Sequence, residues 1–257
     1  EGPLRWGRHR IRDFRDNGDA LSVEDVIVKS SNIGTARIAM EIGIERQRAF
    51  LDSLGFLSPT PVELIEAPGA KPLLPPNWSE ISTMTISFGH GLSTSPLHMA
   101  AGYASLLNGG TKVTPTLMKQ DVVQPGPRIV SEQTSAIARN LLRQVVVRGS
   151  ATLGDVAGYS VAGKTGTADK PKAAGGGYYD EKVIATFAAV FPANDPKYVL
   201  VVTLDEPVET SGEKPRRTAG WTAVPVAAEV IRRTAPLLGL APDIEPRADT
   251  AVTLASN

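Results

Sequence analysis

The first 21 positions are almost wholly polar, and from there to about residue 150 the apolar residues recur at helical spacing. In residues 1–21 only Trp6 and Phe14 offer anchors, while Arg5, Arg8, Arg10, Arg12 and Arg15 mix with Asp13 and Asp16, as in a solvated, loosely ordered segment. Ser22, followed by Asp25, reads as a capping box opening a short helix over 23–29. Ile33, Ala36, Ala39 and Met40 then mark one buried face of a second helix. The break between the two falls at Ser30-Ser31-Asn32. Further helices are predicted over 45–54, closed by Gly55, and from Ser95-Pro96 to Asn108-Gly109-Gly110. Ser131 caps a long one that ends at Gly149, with Ile137, Leu141, Leu142, Val145 and Val146 on one face. A Pro-rich stretch, 58–76, reads as a surface loop.

Beyond residue 156 the period changes to two. Tyr159 and Val161 alternate as a strand running into Gly163-Lys164-Thr165-Gly166. Apolar runs over 183–191 and 198–204 flank the turn signal of residues 192–197, which predicts a hairpin. Tyr178-Tyr179, after three glycines, reads equally as a flap or as an ordinary hairpin loop. A helix over 222–234 carries Pro225 in its first turn and stops at Pro236. The expected organisation is a polar segment 1–21, a helical lobe 22–156, a sheet with its C-terminal helix 157–240, and a disordered tail 241–257.

Composition narrows the function classes. With 42% apolar residues in 257, the chain can bury a substantial core. Basic and acidic residues balance at 27 each, so no net field points to nucleic acid or an anionic membrane. No apolar run approaches the length of a membrane span. Absence of cysteine excludes disulfides and thiolate metal sites. His9, His90 and His98 have no metal-like spacing; His90 serves its loop and His98 faces along a helix. Gly89-His90-Gly91 lacks the third glycine and the βαβ context of a phosphate loop. No metal or cofactor is expected.

Two triplets carry the candidate chemistry. In Lys164-Thr165-Gly166-Thr167 an amine, two hydroxyls and a side-chain-free residue lie along one strand, which suits an anionic, amide-bearing ligand added as a further strand. Ser30 and Asn32 stand at a helix break, where side chains can point into a cleft. Each triplet alone is a weak signal, since both arise easily by chance. Together they form part of the signature of penicillin-binding proteins.

With further landmarks at residues 29–34, 88–97, 101–110, 149–152 and 220–226, in the expected order, the chain resembles the transpeptidase domain of a class B, monofunctional penicillin-binding protein. The wording around Ser30-Ser31-Asn32 is most similar to the division-specific, septal (FtsI-type) branch. The resemblance implies an α/β fold, an antiparallel sheet flanked by helices plus a helical lobe, with the last three strands in this chain. It implies a D,D-transpeptidase that cross-links peptidoglycan stem peptides ending in D-Ala-D-Ala through an acyl-serine, and that β-lactams inhibit. Ser30, Asn32 and Lys164 take catalytic parts, while Thr165, Gly166 and Thr167 bind substrate. Ser30 would shuttle a proton on the leaving-group side, Asn32 would hold the acyl amide, and the Thr167 N–H would be one oxyanion donor. Expected partners include divisome membrane proteins, among them a lipid II polymerase, and no nucleic acid. The expected location is the extracytoplasmic (periplasmic) face of the cytoplasmic membrane, anchored by an N-terminal segment outside this chain.

The nucleophile of the family is the serine of S-x-x-K, several tens of residues before S-x-N, and the 29 residues before Ser30 contain no such motif. Ser211-Gly212-Glu213-Lys214 matches by letters only, in a polar loop after the strand. The chain therefore reads as the C-terminal part of the domain, cut past its nucleophile. A class A β-lactamase is the enzyme alternative, but 134 residues from Ser30 to Lys164 are too many for it. A non-catalytic relative acting as sensor or scaffold is the other alternative.

Acylation needs a serine activated by a neighbouring base beside an oxyanion hole. The 257-residue chain alone is thus expected to gain no mass on incubation with excess fluorescent penicillin. A stoichiometric mass increase mapped to any of its serines would overturn the truncation reading.

Overall fold

In the computed structural model, residues 4–243 are described, except Asp19, Val123 and Gly175. Helix α1 (Val23–Val28) begins where the Ser22 side chain accepts from the Asp25 N–H, which satisfies one of the free first-turn donors. Helix α2 (Asn32–Ile42) is capped by Ser31, whose hydroxyl accepts from the Gly34 N–H, and it buries Ala36 and Ala39. Helix α3 (Ile44–Ser53) follows directly. Helix α4 (Glu80–Ser87) was not foreseen. Its sequence is rich in serine and threonine, which are poor interior helix formers, yet Thr83, Met84 and Ile86 are buried against its neighbours. Helix α5 (Pro96–Leu107) starts with a reciprocal capping box between Ser95 and His98. The longest, α6 (Glu132–Arg148), buries Val145 and Val146 but leaves Ile137 53% exposed, so the apolar face is shorter than its sequence suggests.

The N-terminal residues are better ordered than their charge implies. Strands β1 (Leu4–Trp6) and β2 (His9–Ile11) pair antiparallel around Gly7, whose φ is 56°. Ile11 is buried and, with Leu4, packs on Ala36 and Met84, so the hairpin closes the small core between α2 and α4. Three-residue strands are too short to show a period among arginines, which is why the pattern read as solvated.

Strands β3 (Ala162–Pro171), β4 (Tyr178–Phe191) and β5 (Tyr198–Asp205) form an antiparallel sheet in the order β3-β4-β5. The strand around the lysine begins at Ala162; Tyr159 and Val161 precede it as buried loop residues. Tyr178 opens β4, so the Tyr178-Tyr179 pair is hairpin strand. Alternation along β4 places Phe187, Ala189 and Phe191 in the larger core with helix α7 (Ala223–Thr234), and Val190 in a second core with Leu107 of α5. The sheet is therefore covered on both faces, as an α/β layered domain requires. Helix α6 packs along β3 and reaches both cores through Val145 and Leu142. At Gly163 a Cβ would lie 2.7 Å from the Ala188 carbonyl oxygen and from the Phe187 ring, so this position must be glycine for β3 to lie flat on β4. Residues 244–257 of the expected tail fall outside the described residues.

The helix break at Ser30-Ser31-Asn32 is clamped from the N-terminal side. Asp13 accepts from the Ser31 hydroxyl at 2.7 Å, from the Ile33 N–H at 2.9 Å and from the Asn17 side chain at 2.8 Å. Burial opposes its ionisation, but bonds from Ile33, Asn17, Ser31 and Asn32 outweigh it and hold the carboxyl below its ordinary range. A depressed carboxylate contributes stability that is complete above its unfolded value and lost as the pH falls through the folded one. The Asp13→Asn substitution is expected to cost about 1–2 kcal/mol at pH 7, a drop of several degrees in Tm for a domain of this size. The difference from wild type should shrink as the pH falls below about 4. Thermal unfolding of both proteins across pH 3–7 checks this, and a Tm gap that stays constant would contradict it.

Candidate active site

Ser30 lies two residues beyond the end of α1, after the cap residue Lys29, with a φ of 58°, the left-handed region that few non-glycine residues adopt. Two backbone bonds hold it there: the Ser30 N–H donates to the Ile27 carbonyl at 3.2 Å and the Ser31 N–H to that of Val26 at 2.9 Å. Asp13 secures the residues that follow. The strained serine is exposed, and its hydroxyl meets β3: Lys164 Nζ donates to Ser30 Oγ at 2.7 Å across 134 residues of chain. Lys164 Nζ also donates to the Thr165 carbonyl at 3.1 Å. Burial lowers the Lys164 ammonium to about 8, and among the described residues no carboxylate pairs with it. An amine of that pKa against a hydroxyl can hold an anion or pass a proton near neutral pH.

The β1–β2 hairpin and α6 brace this contact from two sides. Asn32 Nδ2 donates to the Arg12 carbonyl at 3.0 Å, just beyond β2. Arg148, at the end of α6, donates to Asp25 of α1 at 2.9 Å and to Glu24. A Cβ at Gly149 would lie 2.6 Å from the Val28 carbonyl oxygen, so glycine permits α6 to abut α1.

Among the described residues β3 pairs with β4 alone, which makes it an edge strand. Register sets Lys164 opposite Ala188, Thr165 opposite Phe187 and Thr167 opposite Ala185, so the lysine and the two threonines leave on opposite faces. The Thr165 hydroxyl shares a 2.5 Å hydrogen bond with that of Ser150, and Thr167 Oγ1 accepts from the Ala219 N–H at 3.0 Å. A Cβ at Gly166 would meet nothing within 4 Å; unlike Gly163, it faces open space. The structure thus brings Ser30, Lys164 and the Thr165 carbonyl into contact, keeps Asn32 on the same turn, and ties both threonine hydroxyls to neighbouring loops.

Three features escaped the sequence reading. Ser150 lay in a recognised segment without a role. Asp13 was one acid in a mixed-charge run; its signal was its position after an apolar pair, Leu4 and Ile11, that flanks a glycine turn. Tyr178 Oη lies 3.3 Å from His90 Nε2, with the rings 5.8 Å apart, so the β3–β4 hairpin touches the Gly89-His90-Gly91 loop. His98 is structural: its Nδ1 lies 2.7 Å from Ser95 Oγ and its Nε2 2.8 Å from the Ser58 carbonyl oxygen. Ser211 is exposed in a turn where its N–H donates to Glu209 at 2.6 Å.

Comparison with known proteins places the chain in a family. The sequence profile of the penicillin binding protein transpeptidase domain matches residues 1–231. A protein of Caulobacter vibrioides named "Probable peptidoglycan D,D-transpeptidase FtsI" is 38% identical over 247 residues, covering 93% of this chain and 42% of the relative. Penicillin-binding protein PbpB of Mycolicibacterium smegmatis is 34% identical over 250 residues, covering 89% and 38%. The chain therefore spans about two-fifths of the length of these relatives. Among solved structures, the apo TP domain of penicillin-binding protein 3 from Burkholderia pseudomallei superposes with a TM-score of 0.84 at 32% identity, over 95% of this chain and 72% of that one. The ampicillin complex of penicillin-binding protein 3 from Mycobacterium tuberculosis gives 0.81 at 29% identity, over 96% and 57%. Matched along nearly all of its length in sequence and in fold, the chain belongs to the penicillin-binding-protein transpeptidase domain family.

Proposed function

We propose that this chain supplies the S-x-N and K-T-G walls of the active site of a peptidoglycan D,D-transpeptidase that works in septal cell-wall synthesis and is acylated by β-lactams. The observation that carries the reading is the 2.7 Å bond from Lys164 Nζ to Ser30 Oγ, which joins the two motifs in one site. The named FtsI relative favours the septal branch.

In this reading the substrate peptide lies along the free edge of β3, where Gly166 leaves room for it. Lys164 supplies positive potential to the terminal carboxylate and holds the Ser30 hydroxyl by donating to it. The Ser30 proton remains free to pass to the leaving amine. Asn32, fixed through Arg12, orients the acyl amide. Because N–H and C=O groups repeat on one strand edge every two residues, the Thr167 N–H points to the same side as the Thr165 carbonyl that Lys164 reaches. That shared edge supports the proposed role of the Thr167 N–H as an oxyanion donor. Thr165, braced by Ser150, offers its hydroxyl to the carboxylate. The nucleophilic serine and its lysine belong to the S-x-x-K segment of the full-length protein. Divisome membrane proteins, including a lipid II polymerase, are the proposed partners, at the extracytoplasmic face of the cytoplasmic membrane.

Replacing Lys164 with Ala in the full-length protein is expected to slow acylation by a labelled penicillin about 100-fold or more, since losing such an electrostatic donor costs ~3 kcal/mol. In the wild type the rate should fall as the pH rises through about 8, because the lysine is charged below its pKa and neutral above it. Near-unchanged kinetics in the Lys164→Ala protein would remove Lys164 from the site.

A further inference from the structure

The β1–β2 hairpin presents charge that the active site does not use. Its register sets Leu4 opposite Ile11 and Trp6 opposite His9, with Arg5 opposite Arg10 between them. Since Leu4 and Ile11 turn toward the core, the alternate face, carrying Arg5 and Arg10, looks into solvent. Both arginines are exposed, as is Arg8 beside the turn. Like charges directly opposite on an antiparallel pair repel each other. Among the described residues no acidic side chain pairs with Arg5, Arg8 or Arg10. Trp6, 38% exposed, lies on the other face of the hairpin, with Leu4 and Ile11. A fold with balanced charge overall has thus concentrated cations on one small, solvent-facing ladder.

Position gives the ladder its meaning. The Arg12 carbonyl, just beyond β2, accepts from Asn32, and Arg10 lies two residues before it, on β2. At about 3.3 Å per residue, Arg10 is about 7 Å along the backbone from Arg12, and Arg5 lies about 5 Å farther across the pair. An extended peptide covers such a distance in about three or four residues. The cationic face therefore begins one short peptide away from the S-x-N turn, on the Ser30 side of the cleft.

We propose that the arginine face of this hairpin docks the carboxylate-bearing peptidoglycan strand whose stem peptide enters beside Ser30. The inference rests on the transpeptidase reading and adds to it a surface that holds the polymer outside the reacting centre. Stem peptides ending in a carboxylate, repeated along a glycan, make a multivalent anion. Arg5, Arg8 and Arg10 match it by charge, and the guanidinium fork suits carboxylates. The attraction is short-ranged, because salt screens exposed charges beyond about 8 Å, and repeated attachment strengthens it.

The test uses the full-length protein with Arg5→Glu and Arg10→Glu together, and a second variant with Arg5→Lys and Arg10→Lys. Both positions face solvent, so neither change disturbs the core. Binding to fluorescent, soluble, uncross-linked peptidoglycan strands is measured against salt, in parallel with acylation by labelled penicillin. The Glu pair is expected to weaken strand binding about tenfold or more and to flatten its salt dependence. The Lys pair should retain most of the binding. Acylation by penicillin, which carries no glycan strand to dock on the hairpin, should change much less than strand binding in both variants, and less still at high salt. Strand binding unchanged in the Glu pair, with acylation intact, would overturn this inference and leave the transpeptidase reading standing. Weakened binding to vesicles of anionic phospholipid with strand binding unchanged would also overturn it, by assigning the face to a membrane surface. Absence of acylation in the wild type would instead count against the transpeptidase reading itself.

Discussion

A half-buried amine is short of water and needs partners, and here Lys164 finds the Thr165 carbonyl beside it and a serine 134 residues earlier in the chain. Most of what surrounds the site follows from keeping the lysine and that serine in contact. Ser30 reaches the lysine because its backbone sits in a region that costs on the order of 1 kcal/mol or more to occupy. That strain is held by the short helix before it, the capped helix after it and the Asp13 carboxylate beside it. On the other side, Gly163 lets β3 rest against Phe187, which sets the height at which Lys164 leaves the sheet. Helix α6 ties the halves together, packing along β3 and ending on α1 through Arg148.

The electrostatics carry a cost. Lowering the Lys164 ammonium from 10.5 to about 8 means that its charged form is disfavoured by a few kcal/mol at most pH values below 8, on the order of 1.4 kcal/mol per tenfold change in proton affinity. Stability is thus spent on a lysine that no carboxylate among the described residues neutralises, in keeping with the tendency of perturbed groups to gather at functional sites. An incoming anion would restore the missing partner. Both threonine hydroxyls are already braced by Ser150 and by the Ala219 N–H, so the strand edge is set before any ligand arrives.

Much of this was legible in the sequence because the signals were local or periodic. Caps at Ser22, Ser95 and Ser131 located helix starts, and apolar runs over 183–191 and 198–204 flanking a turn located β4 and β5. The order of motifs identified the family. What escaped depended on tertiary context. Helix α4 is held by burial of Met84 and Ile86 rather than by propensity, and the N-terminal hairpin is held by two apolar residues among arginines. Asp13 could not be told from its acidic neighbours until Ser31 and Ile33 were placed around it. Ile137 shows the reverse error, an apolar residue at helical spacing that the fold leaves in solvent. The spacing of Ser30 and Lys164 along the chain gave no distance; only the packing of α1, α6 and β3 does.

The contact between these two side chains is tested most directly by a double-mutant cycle in the full-length protein, with Ser30→Ala, Lys164→Ala and the pair compared by their rates of acylation with labelled penicillin. Direct hydrogen bonding predicts a coupling of about 1 kcal/mol or more, so that the second substitution costs much less once the first is made. Effects that add to within about 0.5 kcal/mol, as for residues with no shared partner, would show that Ser30 and Lys164 act apart and that the two motifs do not form one site.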